Sequence, residues 1–230
     1  MKRFYKSAEA RAVEDGYEVS LDGRPVRTPG RKKLTFPSLK LAEASVAEWS
    51  AQGETLDMAE MPLTALSYAA LDRIAEDQSR FVDDITRFAE TDLLCYRAPT
   101  PPKLVARQVD AWDPLLAWLL ERCGARLVLA AGIMPVVQPE SAIAAIRQAF
   151  AALDPFRLTA AHVASQAAGS AVIALALVEG EITPKIAADA AQIDDDWQLE
   201  QWGEDEEARE LMARRRSDLQ EIGHFLSLLD

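Results

Sequence analysis

Asp196, Glu200 and Glu204 recur at four-residue intervals, the spacing that lines carboxylates along one face of an unbroken helix and could offer a hard cation such as Mg²⁺ its oxygen ligands. Gly203 falls inside that line as a helix-ending residue, and a solvated acidic face is the competing account. Other chemistry has less to stand on. A hydrolase nucleophile needs a base beside it, yet Ser170 follows Gly169 in an apolar run without a Gly-x-Ser-x-Gly turn, and it reads as a packing residue. His162 and His224 are the two imidazoles, and each reads as a structural group. Glu221-Ile222-Gly223-His224 has the Glu-x-x-His spacing of a di-iron bundle, a site that requires a second such copy, and the sequence has none. Thr28-Pro29-Gly30-Arg31-Lys32-Lys33 has one glycine and no Gly-Lys-Ser to cradle a phosphate. The pattern therefore points away from an enzyme: no catalytic residue, no metal and no cofactor are expected. A small-molecule or Mg²⁺-dependent enzyme using the carboxylates near Asp196 is the alternative.

The run from Asp194 to Glu207 instead suits a surface that grips another protein. Tryptophan supplies large contact area at low entropic cost, and surrounding acids favour a basic partner. Trp197 and Trp202 are five residues apart, so on one helix they diverge by about 140°. Trp197 is expected to pack inward and Trp202, next to Gly203, to protrude. Glu204 to Glu207 open the next helix, where the dipole favours acids. That benefit fades within one turn, so four acids in succession leave an excess for a basic partner to neutralise. An acidic module for some other basic protein shares this surface and is a further alternative.

The composition sets the frame. A chain of 230 residues that is 49% hydrophobic can bury a sizeable core, and its length favours two domains. The net charge of −12 repels a phosphate backbone and anionic lipid, so neither nucleic acid nor a membrane is an expected partner. The longest apolar stretch, Ala167 to Val178, is too short for the roughly 20 residues that membrane insertion takes. Basic residues outnumber acids in the first 40 positions, and the rest of the chain carries the acid excess. Cys95 and Cys123 form no Cys-x-x-Cys pair, consistent with a reducing compartment. Met1-Lys2-Arg3-Phe4-Tyr5-Lys6 leads into polar sequence without the apolar core of a secretory signal.

These residues need elements to position them. Tyr17 to Leu21 alternates apolar with polar residues and meets Asp22-Gly23, a hairpin signature, with Arg24 to Thr28 as the return strand. Pro29-Gly30 reads as a type II turn and Lys33 to Phe36 as the next strand. Leu39, Ala42, Val46 and Trp49 mark a covering helix that Gly53 ends, and Glu54 to Met58 could return as a short strand. The fold class is thus α+β: a β-rich N-terminal domain over residues 1–62 and a larger, mainly helical C-terminal domain over 63–230. In the latter, Leu66, Ala69, Ala70 and Ile74 form one stripe, and Leu115, Trp118 and Leu119 form another behind Asp113-Pro114. Thr91 to Arg97 reads as extended or kinked, and Arg126 to Val137 as two short strands around Gly132. Leu158 to Val178 reads as one central helix. Helices over Pro184 to Gln201 and Asp205 to Leu229 follow, the last burying Ala208, Leu211, Leu219, Ile222, Phe225 and Leu229.

Four blocks in order, Lys2-Arg3-Phe4-Tyr5, Leu21 to Gly30, Thr91 to Ala98 and Trp197 to Asp205, resemble the ATP synthase assembly chaperone family that binds the α subunit of the F-type ATPase catalytic head. The resemblance runs nearly end to end. It implies a non-enzymatic factor that holds free α subunit, covers the surface destined for the β subunit, prevents aggregation and leaves as the head assembles. It also implies the same β-rich and helical halves. Without a presequence the chain resembles the bacterial members, which implies a cytoplasmic protein. Carried onto this sequence, the resemblance puts partner contacts at Glu200, Gln201, Trp202, Glu204 and Asp205, with Asp92 and Tyr96 as weaker candidates.

Overall fold

In the computed structural model, which describes residues 2–132, 134, 136–203 and 206–229, Asp22 and Gly23 both take left-handed φ, 48° and 78°, as a tight hairpin turn demands. They join β2 (Gly16–Leu21) to β3 (Arg24–Pro25). On the other edge of β2 lies β1 (Ala8–Val13), antiparallel along its whole length from Ala8 opposite Leu21 to Val13 opposite Gly16. Ala-Glu-Ala-Arg-Ala-Val holds few large β-formers, which is why sequence reading missed this strand. The return strand is shorter than expected: beyond Pro25 the pairing continues through the Val26 amide on the Val19 carbonyl at 2.8 Å and an isolated bridge, Arg27 to Lys33, before β4 (Thr35–Phe36) joins β2.

Between them the amide of Arg31 donates to the Thr28 carbonyl at 2.8 Å, but the left-handed φ (67°) falls on Arg31, so the turn is not the type II expected of Pro29-Gly30. Gly30 has a different reason to be glycine. Its amide donates to the Asp72 carboxylate at 2.7 Å, and an added Cβ would stand only 2.7 Å from the same carboxyl group.

Packing divides the chain into two compact units. The first comprises Met1–Gln78, Asp154–Ala160 and His224–Asp230. Here Val19, Leu21, Val26, Leu34 and Phe36 are buried with one face of α1 (Leu39–Ala51), whose N-terminus Ser38 caps by accepting from the Leu41 amide. That face is Leu41, Ala42, Ser45 and Trp49; Leu39, expected within it, lies exposed at the first position of the helix. The segment after Gly53 makes only a bridge from Thr55 to Lys2 and a 3₁₀ turn at Met58–Glu60, not a strand. α2 (Pro62–Ala69) has no cap of its own. Glu48 supplies one from α1, accepting from the amides of Leu63 (2.7 Å) and Thr64 (2.9 Å).

The second unit comprises Ser79–Leu153 and Ala161–Gly223. α3 (Gln78–Glu90) is followed by the 3₁₀ turn Leu93–Cys95 and by β5 (Tyr96–Arg97). α4 (Pro102–Cys123) runs straight through Pro114, where sequence reading had a helix begin. Burial of Leu104, Trp112, Leu115 and Leu119 along one side outweighs the hydrogen bond a mid-helix proline removes. Between Arg126 and Val137 one two-residue strand, β6 (Ala130–Ala131), pairs in parallel with β5; of the expected pair of strands no other appears among the described residues.

The region read as one central helix is two after α5 (Glu140–Ala151): α6 (Pro155–Ala168) and α7 (Ala171–Val178). Gly169, at φ 65°, ends the first, and Ser170 caps the second by accepting from the Ile173 amide at 3.1 Å. Ser170 is therefore a buried polar cap rather than a packing residue. Every residue of α7 is buried.

A second expected helix also divides, into α8 (Pro184–Ala191) and α9 (Ile193–Trp202), at the buried Gln192. The Gln192 amide donates to the Met212 carbonyl at 2.7 Å and accepts from Arg216 at 2.8 Å, binding the break to α10 (Glu206–Ser227). In α10, Met212 takes the buried place assigned to Leu211, which is 49% exposed. Among the described residues no helix is long and apolar enough to cross a membrane.

Gly223 permits the close approach of α10 to α8, because a Cβ there would overlap Cγ of Pro184. Gly to Ala inside a helix ordinarily stabilises by about 1 kcal/mol. Gly223→Ala is expected to reverse that sign, with overpacking of about 1–3 kcal/mol lowering the melting temperature by several degrees in a thermal scan.

Candidate partner-binding site

Helical geometry splits α9 between two grooves of the second unit. Asp194, Trp197, Gln198 and Gln201 fall on one face, and with Trp202 they line a cavity of about 610 Å³ whose other walls are Tyr96 to Pro101, Leu104 and Gln108. Ile193, Asp196, Leu199 and Glu200 fall on the other and line a groove of about 780 Å³ with Leu115, Ile182 and Ile186. The structure thus brings Tyr96, Gln201 and Trp202 to one cavity and puts Glu200 on the opposite side of the helix. Glu204 and Asp205 lie outside the described residues.

Trp202 is 79% exposed, at the last turn of α9 before Gly203, while Trp197 is half-buried beneath the Arg107 guanidinium, 4.9 Å from its ring centre. The Arg107 fork also grips Glu200 with two bonds of 2.8 Å. Hydrogen bonding from Arg107 holds the Glu200 carboxyl below the usual carboxylate range. Gln108 reaches across the cavity wall, accepting from the Ala98 amide (2.8 Å) and donating to Asp194 (2.7 Å). Burial pushes the carboxyls of Asp194 and Asp196 upward, against the bond from Gln108 in the first and the charge of Arg216 in the second.

The acids of α8 and α9 are thus partly answered inside the chain. Arg107 answers Glu200, Arg215 stands 3.6 Å from Asp195, and Arg216 bonds Asp189 at 2.6 Å and stands 3.8 Å from Asp196. These partners come from α4 and α10, far away in sequence, and local spacing could not have revealed them. Among the described residues no group of three or more His, Cys, Asp or Glu is placed to hold a metal ion. Asp196 and Glu200 face arginines instead.

Asp92 is fully buried and touches no surface. Its carboxylate caps the 3₁₀ turn by accepting from the Leu94 amide (3.1 Å), and it also accepts from the Val172 amide (3.1 Å) and the Ser170 hydroxyl (2.7 Å). It joins the start of α7 to the segment that delivers Tyr96. Arg97, also on that segment, donates to the Leu94 carbonyl (2.9 Å) and Asp113 (2.7 Å), and its guanidinium lies 5.2 Å from the Trp112 ring centre. Arg107 and Gln108 belong to no sequence motif, and Arg97, inside the Thr91 to Ala98 block, is not among the contacts the resemblance implies.

The chain's relatives match this architecture. Residues 2–120 match the family model of the ATP12 chaperone protein. The mitochondrial protein atp12 of Schizosaccharomyces pombe is 24% identical over 222 residues, 91% of this chain and 76% of that protein. The crystal structure of Atp12 from Paracoccus denitrificans superposes with a TM-score of 0.95 at 36% identity, covering 100% of this chain and 98% of the other. A chain from Agrobacterium tumefaciens is 45% identical with a TM-score of 0.91, covering 100% of this chain and 86% of the other.

Proposed function

This chain belongs to the ATP12 chaperone family, and from that membership we propose that it is an assembly chaperone of ATP synthase. It binds the free α subunit of the catalytic head, shields the interface that the β subunit will occupy, and releases α as the head forms. It transforms no substrate and acts in the bacterial cytoplasm, in keeping with its likeness to chains from Paracoccus and Agrobacterium. An unfilled subunit interface exposes apolar surface that drives aggregation, so a transient cover has a physical purpose.

The observation that carries the reading is Trp202, an indole 79% exposed at the rim of a cavity shared with Tyr96 and Gln201. A large aromatic left in water beside a concave, partly polar wall has the make-up of a binding hot spot. Glu200, paired with Arg107, stands on the opposite side of α9, and Glu204 and Asp205 continue the acidic run in sequence. Asp92 contributes from below by holding the segment that carries Tyr96.

Light scattering of α subunit diluted from denaturant tests the function. An equimolar amount of this chain is expected to suppress the scattering and to leave α competent to enter a hexamer when β is added. Equal scattering with and without the chain would overturn the assignment.

A further inference from the structure

The blocks around Arg3-Phe4-Tyr5 and Leu21 to Arg27 take no part in the site beside α9, yet both line one cavity of about 680 Å³ in the first unit. Phe4, Tyr5, Trp49 and Tyr68 form its aromatic wall. Tyr5 meets Phe4 and Trp49 edge to face, with ring centres 5.4 and 5.6 Å away, and its hydroxyl donates to the Trp49 carbonyl at 2.6 Å, so this wall is rigid. Phe4 is nonetheless 64% exposed.

The polar lining is lopsided. Asp22 is its one acid, and that carboxylate is already occupied by the amides of Lys6 and Ser7 and by the Ser7 hydroxyl. Arg27 uses one nitrogen on the Arg31 carbonyl at 3.0 Å. Arg24 has no hydrogen bond or ion pair among the described residues. Burial pushes the Tyr68 phenol up to about 12, so it keeps its proton as a donor. In a chain of net charge −12, two guanidiniums and a phenol thus surround an aromatic hollow whose one carboxylate is already occupied.

We propose that this cavity binds a peptide segment of a partner protein in which a carboxylate side chain stands beside a bulky apolar one. The apolar group lies against Phe4, Tyr5 and Trp49, and the carboxylate accepts from Arg24 and Arg27. The charge preference is opposite to that of the acidic α9 surface, and the inference stands independently of the assembly function.

Titrating the ¹⁵N-labelled full chain with the capped tetrapeptide acetyl-Gly-Glu-Phe-Gly-amide tests it. Saturable shifts are expected at the amides of residues 21–27 and at the Trp49 indole, with a Kd on the order of 1 mM or tighter for so small a ligand. The peptide with Gln in place of Glu, and the exposed-site variant Arg24→Gln with the original peptide, are each expected to bind about tenfold more weakly. Three results would overturn the proposal: shifts that do not saturate, equal binding of the Gln peptide, or the same shifts on raising the protein concentration alone, which would assign the cavity to a second copy of this chain.

Discussion

Replacing Asp92 with alanine is expected to lower the stability of the chain at pH 7 by about 3 kcal/mol and its melting temperature by about 6–12 °C. The carboxylate is the acceptor for two backbone amides and a hydroxyl in a fully buried place. Buried donors left without an acceptor cost about 1–3 kcal/mol each. Against that loss stands relief of the cost of burying the carboxylate, which lifts the Asp92 carboxyl to about 6 even though all its hydrogen bonds act in the opposite sense.

The same shift fixes a pH signature. A carboxyl raised from its unfolded value near 3.9 binds its proton more tightly in the native state. Its stabilising contribution is therefore complete below about pH 4 and is lost as pH rises through about 6. The stability of the native chain relative to Asp92→Asn, from chemical denaturation, is expected to fall by about 2 kcal/mol between pH 4 and pH 7. A difference that grows over that interval would mean that the hydrogen bonds, not the burial, govern this carboxyl.

Asp92 also shows where sequence reading stops. Its block carries a family resemblance, and that resemblance alone makes it a weaker candidate for a partner contact. The partners that draw it inward, Ser170 and Val172, lie about 80 residues downstream and become visible only when α7 folds against the segment. Local signals were read well where local chemistry decides. Asp22-Gly23 makes its turn because both residues tolerate left-handed φ, and the α+β division follows from periodicity.

The errors cluster where tertiary contacts override local preference. Pro114 sits inside a helix held by buried Trp112 and Leu115, and Gln192 breaks a helix because Arg216 and Met212 claim its side chain. The Arg107 fork on Glu200 belongs to the same class: two residues 93 positions apart pair and neutralise part of the acidic face.

On the proposed function, replacing Trp202 with alanine is expected to weaken capture of ATP synthase α subunit by about 30-fold or more, the loss that a hot-spot indole worth at least about 2 kcal/mol would give. Because the ring is 79% exposed, the melting temperature is expected to stay within about 1 °C of the native value. Trp197→Ala supplies the contrast: that indole is half-buried beneath Arg107, so its removal loosens α9 and lowers the melting temperature along with capture. Surface plasmon resonance with immobilised α subunit, run beside a thermal scan of each variant, separates the two outcomes. Undiminished binding by a folded Trp202→Ala chain would remove the contact site from the end of α9 while leaving the suppression of α aggregation intact as the measure of function.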